Sequence, residues 1–413
     1  MQIVCSILMK ISAFSFLFLI FHDENASTPH FSVNMRMHFC EYETPFSILL
    51  IKFAPVNCFS LLLTLKPISI MKKLFLFAVA LVGTMLAHAQ LSDGVSATLQ
   101  AGETTTVFYG FDAFKDAVTA APDAGGIITL SPGAFSNPGN ISKSMKIYGA
   151  GFQSDLDNNI GETRVNGHLN IVSTVEAVPV IRIEGVYFVN DVILSGTQKI
   201  ENTEIVKCSF NSILQRVETN NTIVRQCYFR YDIGGENNKG TGFLVSNCLF
   251  RYVRGFAAGS SVTITHCIMF GNDGHNGSYM YSDNIMNHSY YAIDAGATCY
   301  NNVGYEGLLR NSDQNLCQGN YYQGSAWTKW EALFADGQDN LNYADTEGKP
   351  RTWVLKNPTA YVGVDGTPCG VTGGNFPWNP IPATPRILST SVDAKTTPGT
   401  LKVSIKAEAR PIE

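Results

Sequence analysis

The chain has 413 residues, 45% of them hydrophobic and 15% charged, with a formal net charge of −5. That supplies enough apolar material for a sizeable core, and the acidic balance excludes a global attraction to nucleic acid. Of ten cysteines, seven follow residue 90 (208, 227, 248, 267, 299, 317 and 369), an odd number for a disulfide scaffold and without the close CxxC pairs of a zinc ribbon.

Residues 1–70 hold two apolar patches, around Ile11–Phe21 and Ile48–Ile51. Both are too short and broken for a spanning helix, which needs ~20 apolar residues. They read as a mis-called start upstream of Met71. Residues 71–89, MKKLFLFAVALVGTMLAHA, have the charged, apolar and small-residue order of a secretory signal peptide. Cleavage is expected before Gln90, giving a secreted, periplasmic or surface-exposed chain with no stable membrane span. No cysteine follows the apolar run closely, which disfavours a lipid anchor.

Asp112 is a sensible N-cap for a short helix whose apolar stripe is Phe114, Val118 and Ala121. Further on, CYFRYD (Cys227–Asp232) is echoed by CLFRYV (Cys248–Val253), and more weakly by CSFNSI at Cys208 and CIMFGN at Cys267. The four cysteines are 19, 21 and 19 residues apart. Three positions before each stands Ile205, Val224, Val245 or Ile264, and two after each stands Phe210, Phe229, Phe250 or Met269. Alternating apolar positions predict strands, and the break in parity at Ser246-Asn247 and Thr265-His266 predicts bends. Short strands, bends and a period near 20 residues describe a solenoid in which stacked turns share one core. The cysteines are expected to form a buried column of free thiols. Turns stack ~4.8 Å apart, whereas a disulfide needs Cβ atoms ~3.8 Å apart.

With FDAFKDAVTAAPDAGGIITLSPGAF (Phe111–Phe135) and ISKSMKIYGAG (Ile141–Gly151), the chain resembles secreted bacterial right-handed parallel β-helix proteins of the pectin-lyase-like superfamily. The resemblance implies an all-β right-handed solenoid over residues 90–376, with the helix capping its open end. YVGVDGTPCGVTGG (Tyr361–Gly374) resembles the motif that closes such coils. Because that superfamily hosts lyases, hydrolases, adhesins and inert scaffolds, the resemblance does not choose an activity.

Candidate site residues come from the outward side of the repeated corner. Arg230 and Arg251 are expected to share one slot, with Tyr231 beside Tyr252, and Arg254 and Arg225 on the nearby surface. Two like charges ~5 Å apart repel unless an acid or a bound anion lies between them. Arg230, Arg251, Tyr231 and Tyr252 are therefore ligand-binding candidates for the uronate or sulfate groups of a polysaccharide or cell-surface glycan. The ordinary alternative pairs the arginines with Asp232 or Glu236. The loop Phe270–Asn284 places Asp273, His275 and Asp283 in a Gly/Asn-rich setting expected to be exposed. Polygalacturonase-like relatives pair aspartates with Gly-His-Gly, and this chain has Gly274-His275-Asn276 without an adjacent Asp pair. The Arg-x-Pro-x-x-Arg of pectate lyases is absent. Arg251, Arg254, Asp273 and His275 remain as the catalytic alternative, with calcium as the ion a lyase would use. Otherwise no cofactor or metal site is expected. The aromatics from Tyr279 to Trp330 suit either sugar stacking or a larger-residue core, with a helix at Ser325–Phe334 covering the coil's end. The leading expectation is thus a non-catalytic glycan-binding or adhesion protein, ahead of a lyase or hydrolase and of a purely structural envelope component. The tail 377–413 reads as a proline-rich connector and a hairpin around Thr397-Pro398-Gly399.

Overall fold

A computed structural model of the chain describes residues 94–158, 160–270, 279–286, 297–304, 317–322, 333–336, 351–392 and 403–408, together with four short strands before residue 52. The chain divides into units at residues 1–84 and 85–413. In the first, Gln2–Cys5 pairs antiparallel with Leu19–His22, and Met37–Cys40 with Ile48–Ile51. The expected signal segment, residues 71–89, lies outside the described residues. No described helix is long and apolar enough to cross a membrane.

The second unit is a parallel β-solenoid. Its described strands form sheets of thirteen, ten and six strands. Side chains alternate across each strand, so one residue in two faces the interior. The column Ile128, Ile147, Ile183, Ile205, Val224, Val245, Ile264, Tyr281 and Cys299 climbs the thirteen-stranded sheet in register. Every member is fully buried. No single turn could bury these groups alone, and stacking them yields one continuous core.

The first turn is covered by α1 (Ala113–Ala120), which buries Phe114, Ala117 and Val118. Phe114 packs edge-on against Phe135 at 6.5 Å. Asp112 precedes the helix as expected, but its side chain makes no capping hydrogen bond. The hairpin Ser96–Ala101/Thr104–Tyr109 extends the thirteen-stranded sheet antiparallel beyond strand Gly126–Leu130.

At the repeated corner, Cys208, Cys227, Cys248 and Cys267 are buried free thiols, stacked as the spacing predicts. Phe210, Phe229 and Phe250 stack behind them at 5.1 and 4.7 Å, nearly parallel. Each thiol also joins a polar ladder. The N–H of Cys208 donates to Cys227 Sγ and that of Cys227 to Cys248 Sγ, both at 3.4 Å. Cys248 Sγ donates to the Ser246 carbonyl at 3.2 Å. Burial pushes the Cys208, Cys227 and Cys248 thiols well above the ordinary cysteine range, so they are not nucleophiles. Above Cys267 the ladder changes residue without breaking: Asn284, Asn302 and Asn320 occupy the same corner. Cys248→Ser is expected to cost only ~1–2 kcal/mol, because a hydroxyl finds the same carbonyl acceptor. Thiol reagents should label the wild type only after denaturation. Fast native-state labelling of the column would contradict the inward assignment.

The residue before each ladder position turns the corner in the left-handed region: Lys207, Gln226, Asn247, His266, Asp283 and Asn301 have φ between 49° and 62°. That conformation costs an ordinary residue ~1–2 kcal/mol. Much of the return comes from residues 361–383. The resemblance placed this segment at the coil's end, but it runs back along the outside as a strap. Asn301 Nδ2 donates to the Val362 carbonyl at 3.0 Å and Asn247 Nδ2 to those of Val371 and Gly373 at 3.1 and 2.8 Å. Gln226 Nε2 donates to the Pro377 carbonyl at 2.6 Å, and Glu184 Oε1 accepts the Ala383 N–H at 2.8 Å. Only glycine fits at Gly185, where a Cβ would stand 2.9 Å from Pro382 and from the Gly149 carbonyl.

The strap and the segment before it also cover the outer face of the ten-stranded sheet. Leu249, Ile268, Ile285 and Val303 pack under Trp353, Leu355, Cys369 and Val371 in a second apolar cluster. Tyr279 and Tyr281 face inward and are buried, so the larger-residue core accounts for these two aromatics. Trp327, Trp330 and most of the helix expected at residues 325–334 lie outside the described residues. In the tail, Arg386–Val392 pairs antiparallel with Val403–Glu408 as the hairpin reading predicts.

Candidate functional site

The register at the outward corner differs from the sequence expectation. Two residues, Arg230 and Tyr231, separate strands Tyr228–Phe229 and Asp232–Gly234, but only Arg251 separates Leu249–Phe250 from Tyr252–Arg254. The chain therefore slips by one position, and Tyr252 pairs with Asp232 instead of standing beside Tyr231. Arg251 N–H donates to the Tyr231 carbonyl at 2.9 Å, and its guanidinium lies over the Tyr231 ring, 5.7 Å from the centroid. The expected Arg–Arg, Tyr–Tyr stack becomes an Arg–Tyr stack, which replaces repulsion with a cation–π contact.

Arg230, Arg251 and Tyr231 are all exposed. Arg230 Nη2 reaches the Tyr187 hydroxyl at 3.5 Å. The ring of Tyr187 receives Arg164, 5.5 Å from its centroid. Arg164 and Tyr187 were not singled out from the sequence, because their turns lack the cysteine that marks the repeat. Together these residues line a track from the turn of Arg164 to that of Arg251, four turns or about 19 Å along the coil. At the Arg164 end, burial raises the Glu162 carboxyl and Arg164 opposes the shift.

The acids that could neutralise the track's other arginines are engaged elsewhere. Asp232 Oδ2 accepts Arg254 Nε at 2.6 Å and its Oδ1 accepts the Ser212 hydroxyl at 2.8 Å. Glu236 pairs with Arg216 at 3.4 Å. Among the described residues, neither Arg230 nor Arg251 makes an ion pair. Arg225, expected on the same surface, is instead buried beneath the strap, 3.9 Å from the Phe376 ring centroid and bonded to Glu204 at 3.2 Å. Of the catalytic alternative, Arg254 is tied to Asp232, while Asp273 and His275 lie outside the described residues.

A broader cleft of about 780 Å³ lies on the outer face of the thirteen-stranded sheet, lined by Lys146, Arg182, Glu204, Asn202 and Asn221 among others. Arg182 is clamped by Glu184 at 3.0 Å and by Glu204. Its charge is already compensated.

Asp283 departs furthest from the exposed-loop reading: it is only 4% exposed, beneath the strap. Its Oδ1 accepts the Val364 N–H at 2.7 Å, and its Oδ2 lies 3.9 Å from His266 Nδ1. His266, 5% exposed, also meets the strap through Nε2, 3.2 Å from Thr367 Oγ1 and 3.5 Å from Asp365 Oδ2. Burial raises the Asp283 carboxyl above its usual range, opposed by the Val364 N–H and by His266. Asp365 is lowered, because hydrogen bonds from the Thr367 N–H and hydroxyl outweigh its desolvation.

Comparison of the chain with protein-family models, with curated proteins and with solved structures returned no match. The fold is therefore stated as a parallel β-solenoid, and function is argued from the site alone.

Proposed function

We propose that the chain is a secreted, pectin-lyase-like β-solenoid that binds acidic polysaccharide without turning it over. The track of Arg230, Tyr231 and Arg251, extended by Tyr187 and Arg164, is the binding surface. One observation carries this reading: the nearby acids, Asp232 and Glu236, hold Arg254 and Arg216, leaving two exposed guanidiniums on neighbouring turns without a carboxylate partner among the described residues. Guanidinium presents a planar fork that matches carboxylate and sulfate oxygens, and tyrosine faces between the cations suit the apolar faces of sugar rings. The signal-like segment at residues 71–89 supports export to where such polymers occur.

The test is calorimetric titration of the full chain with polygalacturonate, a sulfated glycan and a neutral glucan. Binding to the acidic polymers should weaken as salt rises. Arg230→Gln combined with Arg251→Gln should lower affinity at least about tenfold, since charged hydrogen bonds contribute ~1.5–3 kcal/mol each. Thermal stability should be unchanged, because both side chains are exposed. Absence of acidic-glycan binding, or equal binding by the double variant, would overturn the assignment.

A further inference from the structure

The strap crosses the corner at one point where donor atoms converge from three places in the chain. His266 and Asp283 occupy the left-handed corner position of adjacent turns, with Thr265 in register with Ser282. Their backbones are fixed by His266 N–H to the Ser282 carbonyl at 3.1 Å and Asp283 N–H to the Tyr300 carbonyl at 2.9 Å. Asp365 arrives from the strap, its turn held by Thr367 N–H and hydroxyl bonds to Oδ1 at 2.9 and 2.7 Å. One ligating atom from each of the three residues lies within 4.8 Å of the other two.

We propose that His266, Asp283 and Asp365 form a binding site for a divalent transition-metal ion of the Zn²⁺ or Mn²⁺ class, which fastens the strap to the solenoid. Two gaps favour an ion over a plain hydrogen-bonded contact. The imidazole–carboxylate separations of 3.5 and 3.9 Å are too long for good hydrogen bonds. Ligand bonds of ~2.0–2.2 Å around a tetrahedral ion place donor atoms ~3.3–3.6 Å apart, which the 3.5 Å from His266 Nε2 to Asp365 Oδ2 meets. The 3.9 Å contact of Asp283 is to the other ring nitrogen, so Asp283 would close on the same ion by a small inward shift within the 4.8 Å cluster. Charge points the same way. Buried Asp283 and Asp365 on the exposed turn converge here, and among the described residues no lysine or arginine pairs with either. A buried excess of negative charge is costly unless a cation compensates it.

The imidazole is already oriented for the role. Nδ1 lies 3.0 Å from Thr265 Oγ1, the kind of outer contact that fixes a ligand histidine's tautomer and leaves the Nε2 lone pair for the ion. The Thr367 hydroxyl, 3.2 Å from Nε2, donates to Asp365 and so does not have to donate to the ring. One nitrogen and two carboxylate donors suit borderline divalent ions and leave at least one position for water.

The test uses the full, untagged chain stripped with chelator, titrated with ZnCl₂ and MnCl₂ against a chromophoric chelator. One saturable equivalent is expected, with a higher melting temperature and slower proteolysis between residues 361 and 383 on loading. Asp365→Asn sits on the exposed turn, where the fold tolerates it, and should weaken binding at least about tenfold and remove the protease protection. His266→Gln should do the same. Absence of saturable binding, binding unaffected by both variants, or binding of CaCl₂ in preference to both ions would each overturn the site.

Discussion

Replacing Asn302 by alanine should lower unfolding free energy by ~3–5 kcal/mol, among the largest effects of any single polar substitution in the coil. Asn302 is only 1% exposed. Its Oδ1 accepts the Asn284 N–H at 3.1 Å and the Asn284 side-chain amide at 2.9 Å. Its Nδ2 donates to the Tyr281 carbonyl at 3.0 Å and to Asn320 Oδ1 at 3.0 Å. Alanine deletes all four bonds and takes the partner from the buried Asn284 N–H and Tyr281 carbonyl, each costing ~1–3 kcal/mol before relaxation. Asn221→Ala is the control. Asn221 also bonds a stacked asparagine, Asn202, at 2.6 Å, but at an exposed site with φ 55°, where a loss of about 1 kcal/mol, mostly backbone strain, is expected. Equilibrium denaturation of both variants decides the matter. Similar costs at the two sites would mean that the buried ladder contributes nothing special.

The second large effect is expected at Trp353, which is 1% exposed. It meets Phe334 and Phe270 edge-on, with ring centroids 5.5 and 5.7 Å away. Trp353→Ala should cost ~3–5 kcal/mol, the range for deleting a large buried aromatic. The indole N–H has no hydrogen-bond partner among the described residues. Trp353→Phe keeps the apolar cover and removes that buried donor, so its cost should stay near ~1 kcal/mol. If the two substitutions cost the same, the ring is not what holds the second cluster together. The alanine variant should also cleave faster within residues 361–383, because the strap shares this cluster through Cys369 and Val371.

The contrast between these sites and the cysteine column shows what was legible in the sequence. Cys208 to Cys267 stood out because one residue type recurs beside phenylalanine at almost constant spacing. Asn284, Asn302 and Asn320 do the same work with a residue that ordinarily marks a turn. Their signal was faint but present: each is followed by a β-branched or aromatic residue (Ile285, Val303, Tyr321) and preceded three places earlier by Tyr281, Cys299 or Cys317. The Arg–Tyr track was only half legible, since a one-residue difference in corner length moves Tyr252 against Asp232. Periodicity specifies a face, whereas register depends on how many residues a bend consumes. The strap was not legible at all. Its bonds join side chains of the coil to backbone groups 61 to 199 residues away, such as Asn301 to Val362 and Glu184 to Ala383, and no local pattern announces such pairs. Asp283 consequently looked like an exposed-loop residue and His266 like an ordinary bend, when the strap in fact buries both.

The strap's direction bears on how the molecule would respond to mechanical force. Its attachments run from Val362 near Asn301 back to Ala383 beside Glu184. A pull on the tail beyond residue 383 would load the Glu184 contact first, then Gln226, Asn247, His266 and Asp283 in turn. Bonds loaded singly open like a zipper, at low tension. The coil's own strands, pulled along their length, would instead share the load across several inter-turn hydrogen bonds in shear. The carboxy-terminal segment can therefore act as a peelable seam: tension on the tail would bare the His266–Asp283 corner before any turn of the solenoid gives way.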